Sequence, residues 1–267
     1  MIQIKSSDEI ALMREAGLVV ARTLGLLREA VAPGVTTADL DALAEDSIRG
    51  QGGVPSFKGY HGFPASICAS VNEEIVHGIP RRTKKLREGD LISLDCGAII
   101  EGWHGDSAVT VPVGEVGPEL RRLMAVCEES MWAVFAQARV GMRIRDLGGV
   151  VERVVTPAGY GIVDHYGGHG IGTEMHQDPH VLNHGRGPRG PKVVTGMALA
   201  IEPMITTGSP KTLELADGWT VVTADGSYAA HFEHTFVLTE DGPWVLTALD
   251  GGRSRLGAAV SSRQPVG

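Results

Sequence analysis

The sequence predicts an α+β (mixed α/β) fold in which an antiparallel sheet is flanked by helices. Three observations carry this. Two capped, amphipathic helical stretches come before the first strong strand pattern. Strand patterns then arrive in closely spaced pairs, before and again after a second helical stretch. The regular alternation of one strand with one helix that marks a parallel sheet is missing.

The first helix starts at Ser6-Ser-Asp-Glu9, a capping box in which an acid follows the cap by three residues. Apolar residues recur at helical spacing through Ile10, Met13, Val19, Val20, Leu24 and Leu27, and Val31-Ala-Pro-Gly34 ends the pattern. Thr36 or Thr37 caps a second helix through Leu40, Leu43, Ala44 and Ile48, stopped by Gly50-Gln-Gly-Gly53. Ser66 to Asn72 reads as a strand, as does Leu91 to Ile99, and Glu101-Gly102 turns the chain into a third strand, Asp106 to Val113. Glu119 to Val140 and Ile144 to Val155 are helical patterns. Met197 to Ile205 is a strand, Leu213 to Val222 a hairpin about Asp217-Gly218, and Ala229 to Leu238 the last strong strand. Gly251 to Gly267 is small, polar and aperiodic. It is expected to be a flexible C-terminal tail on a single domain spanning residues 1–250.

The bulk properties exclude several functions. With 267 residues, 43% hydrophobic and 21% charged, the chain is ordinary globular protein, long enough for a sizeable core. A net charge of -8 argues against binding nucleic acid through its backbone. The basic run Arg81 to Arg87 reads as a solvated loop. Cys68, Cys96 and Cys127 are odd in number and widely spaced, which points to free thiols in a reducing compartment. No signal peptide pattern opens the chain, and no apolar run approaches the roughly 18 residues of a membrane span, so a cytoplasmic location is expected.

The chemistry lies in the acids. A carboxylate inside an apolar strand is costly unless it is paired or binds a cation. Asp95, Glu202 and Glu233 each interrupt a run that should be buried, and Asp106 follows in the strand after Asp95. A strand end or an exposed face explains any one of them, and Gly105-Asp-Ser107 also reads as a turn. Four acids on four strands call for a shared explanation, and shared positive charge is the simplest. A weak internal echo supports convergence: Gly89 to Asp95 and Gly196 to Glu202 both place an acid six residues after a glycine, each followed by a strand with another acid. Of ten histidines, His169 stands out in Tyr166-Gly-Gly-His-Gly-Ile-Gly172. A phosphate-cradling loop is the alternative there, but the glycines do not complete the dinucleotide fingerprint. Four carboxylates and an imidazole suit Mn²⁺, Fe²⁺ or Co²⁺, with Zn²⁺ also accommodated. Four acids exceed the charge of one divalent ion, so two ions sharing carboxylates fit better, the arrangement that hydrolyses peptides.

The ordered set Val71-Asn-Glu-Glu-Ile-Val-His77-Gly-Ile-Pro80, Ser93-Leu-Asp95, Trp103-His-Gly-Asp106, Gly168-His169-Gly-Ile-Gly172, Met175-His176-Gln-Asp-Pro179, Ala200-Ile-Glu202-Pro-Met204 and Phe232-Glu233-His-Thr235 resembles type I methionine aminopeptidases over nearly the whole chain. The resemblance implies the pita-bread fold, two pseudo-symmetric halves about a dinuclear metal centre. It implies that Asp95 binds one ion, His169 and Glu202 the other, and that Asp106 and Glu233 bridge both. Glu202 would also take the proton of the water or hydroxide between the ions. His176 would stabilise the oxyanion and His77 would sit near the scissile nitrogen. The methionine pocket maps onto Tyr60, His61, Phe63, Cys68 and Trp219, with Phe63 and Met175 as small departures from the family's usual residues. The implied reaction is removal of the initiator methionine from nascent polypeptides, with a small second residue preferred. A monomer is expected, and docking on ribosomes stays open. Prolidases and aminopeptidases P carry a larger N-terminal domain, and type II enzymes an insertion between the residues matching His169 and Glu202. A metal-free binding module would have lost ligands that are all present here.

Overall fold

The computed structural model describes residues 2–261. Helix α1 (Ser7–Ala30) begins at the Ser6 cap, whose hydroxyl accepts from the Glu9 N–H while the Glu9 carboxylate accepts from the Ser6 N–H. Helix α2 (Thr37–Gly50) is capped in the same reciprocal way by Thr36 and Asp39. These boxes satisfy helix-end donors that would otherwise stay open. Strands β1 (Val54–Pro55), β2 (Ile67–Val71) and β3 (Glu74–Val76) follow, then the long hairpin β4 (Leu91–Ile100) and β5 (Trp103–Pro112). Helices α3 (Pro118–Gln137) and α4 (Ile144–Ala158) open the second half. Its strands are β6 (Gly161–Ile162), β7 (Gly167–Gly170), β8 (Gln177–Leu182), β9 (Ala198–Ile201), β10 (Met204–Thr206), β11 (Thr212–Glu214), β12 (Val221–Thr223), β13 (Ala229–His231), β14 (Glu233–Thr239) and β15 (Gly242–Val245).

Among the described residues the central sheet runs β1-β4-β5-β14-β9-β7-β8, with β2 added beside β4 and β15 beside β14, and every pairing is antiparallel. Helices α1 and α2 cover the β4–β5 end, and α3 and α4 pack together over the second half. The core between sheet and helices includes Val20, Leu27, Ile92, Leu94, Phe135, Val150 and Phe236, all essentially inaccessible.

The α1–sheet contact depends on two glycines. Gly105 of β5 lies so close to α1 that a Cβ on it would stand 2.7 Å from the Gly17 amide nitrogen. A Cβ on Gly17 would run into the Leu246 carbonyl. Backbone cannot yield as a flexible side chain does. Gly17→Ala is therefore expected to destabilise the protein by about 1–3 kcal/mol, read as a lowered urea midpoint with unchanged slope.

The structure corrects the sequence at three places. The strand expected over 197–205 is two, β9 and β10, broken at Glu202-Pro203, because proline supplies no N–H to a ladder. The strand expected over 229–238 breaks at Phe232, between β13 and β14. The expected tail from Gly251 is packed down to Ser261. Gly251 and Gly252 are buried, α5 (Arg253–Leu256) follows, and the Ser261 N–H donates to the Pro243 carbonyl. The buried Arg14 guanidinium on α1 donates to the carbonyls of Leu246, Ala248 and Leu249, which holds the segment before it. The rest of the expected tail, 262–267, lies outside the described residues. No described helix is long and apolar enough to cross a membrane, and the three cysteines are free and buried.

Candidate metal centre

Paired residues in an antiparallel sheet point to the same face, and so do residues two apart on one strand. Ala108 on β5 pairs with Asp95 on β4 and with Glu233 on β14, so these two acids flank it on one face. Asp106 is two residues before Ala108 and shares that face. On the other side Ala200 pairs with Thr235 and with His169 of β7, and Glu202, two beyond Ala200, meets the same side. Sequence alternation and register together thus turn Asp95, Asp106, Glu233 and His169, from four strands of one sheet, and Glu202, just past the end of β9, towards one cavity of about 480 Å³ that all five line.

All five are buried, at 2–9% exposure. Ligand atoms of Asp106, His169 and Glu233 lie within 4.8 Å of one another, as do those of Glu202, His231 and Glu233. Asp95 Oδ1, Asp106 Oδ1 and Glu233 Oε1 are buried and have no hydrogen-bond partner among the described residues. Burial, reinforced by Glu202 and opposed by His231, pushes the Asp95 carboxyl up to about 7. Burial also drives Asp106, Glu202 and Glu233 well above the usual carboxylate range, with the neighbouring acids adding to it at Asp106 and Glu233. Positive charge among these oxygens is what returns them to the ionised form near neutral pH.

His169 adds an independent sign. Its Nδ1 lies 3.0 Å from the Gly170 carbonyl, which only accepts, so Nδ1 holds the proton and Nε2 presents a lone pair. That lone pair faces Glu202 Oε1 at 3.6 Å. Two acceptors held face to face need a proton or a metal ion between them, and an imidazole whose other nitrogen donates to a carbonyl is the usual ligating form. Burial holds His169 down to about 3, so the ring stays neutral. Carboxylates and a neutral imidazole are donors for a divalent ion, and the residues present fit one.

Beside this face lies an apolar pocket. Phe57, Phe63, Cys68 and Met175 pack together, with Tyr60 and Trp219 against them. The Phe63 and Trp219 rings meet edge to face at 5.1 Å. His77 and Tyr166 close the cavity, their rings 6.2 Å apart. His77 follows β3 with φ 60, a left-handed conformation that favours glycine, so the local fold overdetermines it. Gly78 behind it is tied to β2 by its N–H to Ser70 Oγ and by the Ala69 N–H to its carbonyl. Glu74, buried on β3, accepts from Arg81, Lys84 and the Val71 N–H. The basic run read as a solvated loop is therefore partly an anchor for the strand that leads to His77. His176 is exposed at the cavity mouth. Its Nδ1 lies 2.8 Å from the Tyr60 hydroxyl and its ring 4.4 Å from that of His169.

Of the residues singled out in the sequence, Tyr60, Phe63, Cys68, His77, Asp95, Asp106, His169, His176, Glu202, Trp219 and Glu233 line the cavity. His61 does not. It is exposed, at φ 48, with its ring edge to face against that of Tyr60 at 4.3 Å. Sequence reasoning missed Phe57 and Tyr166. It also missed His231, fully buried with Nε2 3.5 Å from Glu202 Oε2. The alternation His231-Phe-Glu233 was the available signal.

The family model for metallopeptidase family M24 matches residues 11–240. This chain belongs to that family. As an M24 chain it is similar to the methionine aminopeptidase of Clostridium acetobutylicum, 52% identical over 247 residues, which covers 92% of this chain and 99% of the relative. It is similar also to methionine aminopeptidase 1 of Mycobacterium tuberculosis, 49% identical over 91% of this chain and 94% of the relative. The crystal structure of methionine aminopeptidase from Thermotoga maritima superposes with a TM-score of 0.91 at 40% identity, covering 93% of this chain and 100% of that one. The architecture of this M24 chain is the pita-bread fold, and M24 membership means dependence on a divalent metal.

Proposed function

We propose that the chain is a methionine aminopeptidase that releases the N-terminal methionine of newly made polypeptides whose second residue is small. The observation that carries this is the juxtaposition of one carboxylate-lined sheet face with one aromatic-walled pocket. The similarity to aminopeptidases named for methionine supports the same reading.

Asp95, Asp106, His169, Glu202 and Glu233 would hold two divalent ions, drawn from Mn, Fe, Co and Zn. Such a pair supplies a nucleophilic oxygen at neutral pH and polarises the scissile carbonyl. The chain's own residues do the rest. Tyr60, Phe63, Cys68 and Trp219 take the methionine side chain, whose thioether packs well against ring faces. His77, half-buried and kept neutral by burial, which holds it down to about 4, sits where it can orient the scissile amide. His176 donates to the carbonyl oxygen as charge develops there. Glu202 takes a proton on one side of the bond and returns it to the leaving amine.

The experiment is methionine release from a Met-Ala-led peptide, with metal removed and then restored. Release that follows added divalent ion is expected, and no release with any of the four metals overturns the proposal. Trp219→Ala opens the pocket wall. It is expected to raise KM for this peptide by about 10-fold or more, since losing part of an aromatic contact costs about 1–3 kcal/mol, with a smaller change in kcat. Steady-state kinetics on the two proteins check it.

A further inference from the structure

His231 ends β13 two residues before Glu233 and is 1% exposed. Its backbone is clamped from both sides by one hydroxyl. The His231 N–H donates to Thr110 Oγ1 at 2.8 Å, and Thr110 Oγ1 donates to the His231 carbonyl at 2.8 Å. The imidazole is thereby aimed at the site, yet among the described residues neither ring nitrogen has a hydrogen-bond partner. A buried, unpartnered polar ring is costly and calls for a role.

Glu202 stands between two imidazoles, with Oε1 3.6 Å from His169 Nε2 and Oε2 3.5 Å from His231 Nε2. The two contacts differ in kind. Gly170 fixes the His169 proton on Nδ1, so that ring meets Glu202 with a lone pair. No carbonyl fixes Nδ1 of His231. A ligating histidine ordinarily donates its second N–H to a carbonyl or carboxylate. His169 meets that condition and His231 does not. With the proton on Nε2, His231 instead leaves a bare acceptor at Nδ1, a smaller penalty than a buried donor without a partner.

We propose that His231 is a positioning residue whose Nε2–H donates to Oε2 of Glu202, leaving Oε1 to the cation beside His169. The hydrogen bond fixes the carboxylate's rotation, so the oxygen that ligates and the oxygen that handles the proton do not exchange places. The inference rests on the reading of Glu202 as ligand and proton carrier.

The test uses the full chain loaded with Zn²⁺ and labelled with ¹⁵N-histidine. A proton directly bonded to His231 Nε2, assigned by its loss in His231→Gln, is expected. A His231 Nε2 without a proton, shifted by zinc, would make it a ligand and overturn the proposal. At saturating metal, His231→Ala is expected to lower kcat by about 10–100-fold with KM within about twofold. His231→Gln, which keeps a donor, restores most of that loss. Both variants retain the wild-type ion content by elemental analysis. Loss of an ion in His231→Gln, or equal impairment in both variants, overturns the proposal. Absence of methionine release by the wild type would instead defeat the aminopeptidase reading, while the Nε2 proton still decides this one.

Discussion

Asp106→Asn is expected to abolish methionine release, lowering kcat/KM by about 10³-fold or more, because Lewis-acid stabilisation is worth several kcal/mol and each 1.36 kcal/mol is tenfold. Asparagine keeps the shape of aspartate, so the change tests charge and ligation, not packing. Asp106 lies at the centre of the acid cluster, its carboxyl raised by burial, by Asp95 and by Glu202. Its Oδ1 is one of the orphaned buried oxygens. The backbone around it is independently secured, since its N–H donates to Thr235 Oγ1 and its carbonyl accepts from the same hydroxyl. The variant should therefore fold. A second readout separates ligation from catalysis. Divalent ion at about 100 times its Kd stabilises a binding protein by about 2.7 kcal/mol. That rise in Tm is expected in the wild type and largely lost in Asp106→Asn. An active variant, or one with the full metal-dependent rise, would contradict the assignment.

His176→Ala is expected to lower kcat by about 10²-fold or more, the usual consequence of removing one oxyanion donor, with metal content unchanged. The imidazole stands at the mouth of the cavity, beside His169 but outside the converged acids. Partial desolvation of its ring at the cavity mouth lowers the proton affinity of His176, although the residue as a whole is exposed, and burial raises that of the Tyr60 phenol, so at neutral pH the pair is uncharged. The Tyr60 hydroxyl can then donate to Nδ1 across 2.8 Å, leaving the proton of His176 on Nε2, which serves the developing oxyanion. Tyr60→Phe should show part of the same loss. Release of metal from His176→Ala, measured by elemental analysis, would instead make His176 a ligand.

Much of this was legible in the sequence because polar residues inside apolar strands are conspicuous. Asp95, Glu202 and Glu233 each break a run that periodicity marks as buried, and their register brings them to one face. The β7 strand was not legible. Three of its four residues are glycine, which disfavours strands, yet the sheet requires them there. A Cβ on Gly168 would strike the Ala200 carbonyl, and one on Gly170 the Asp178 carbonyl. Glycine is thus the residue that lets β9 and β8 close on the strand carrying His169. His231 was hidden for a different reason. A histidine two residues before an acid looks the same whether it faces solvent or a cation, and only the break at Phe232 and the clamp by Thr110 decide the matter. His61 shows the converse. The run Tyr60-His-Gly-Phe63 suits a pocket wall, but its second residue, at positive φ, is exposed and does not line the cavity. The segment from Gly251 to Ser261 lacks periodicity because it packs through turns and short helices, which leave no repeating pattern.

The central claim is that five distant side chains converge to hold a pair of divalent cations. Anomalous scattering from crystals grown with Mn²⁺ or Co²⁺, collected on either side of the metal edge, tests it most directly. Two peaks are predicted, one against Asp95 and one against His169 and Glu202, with Asp106 and Glu233 touching both. A map with no peak among those residues at saturating metal, or with its peaks elsewhere on the chain, would contradict the account.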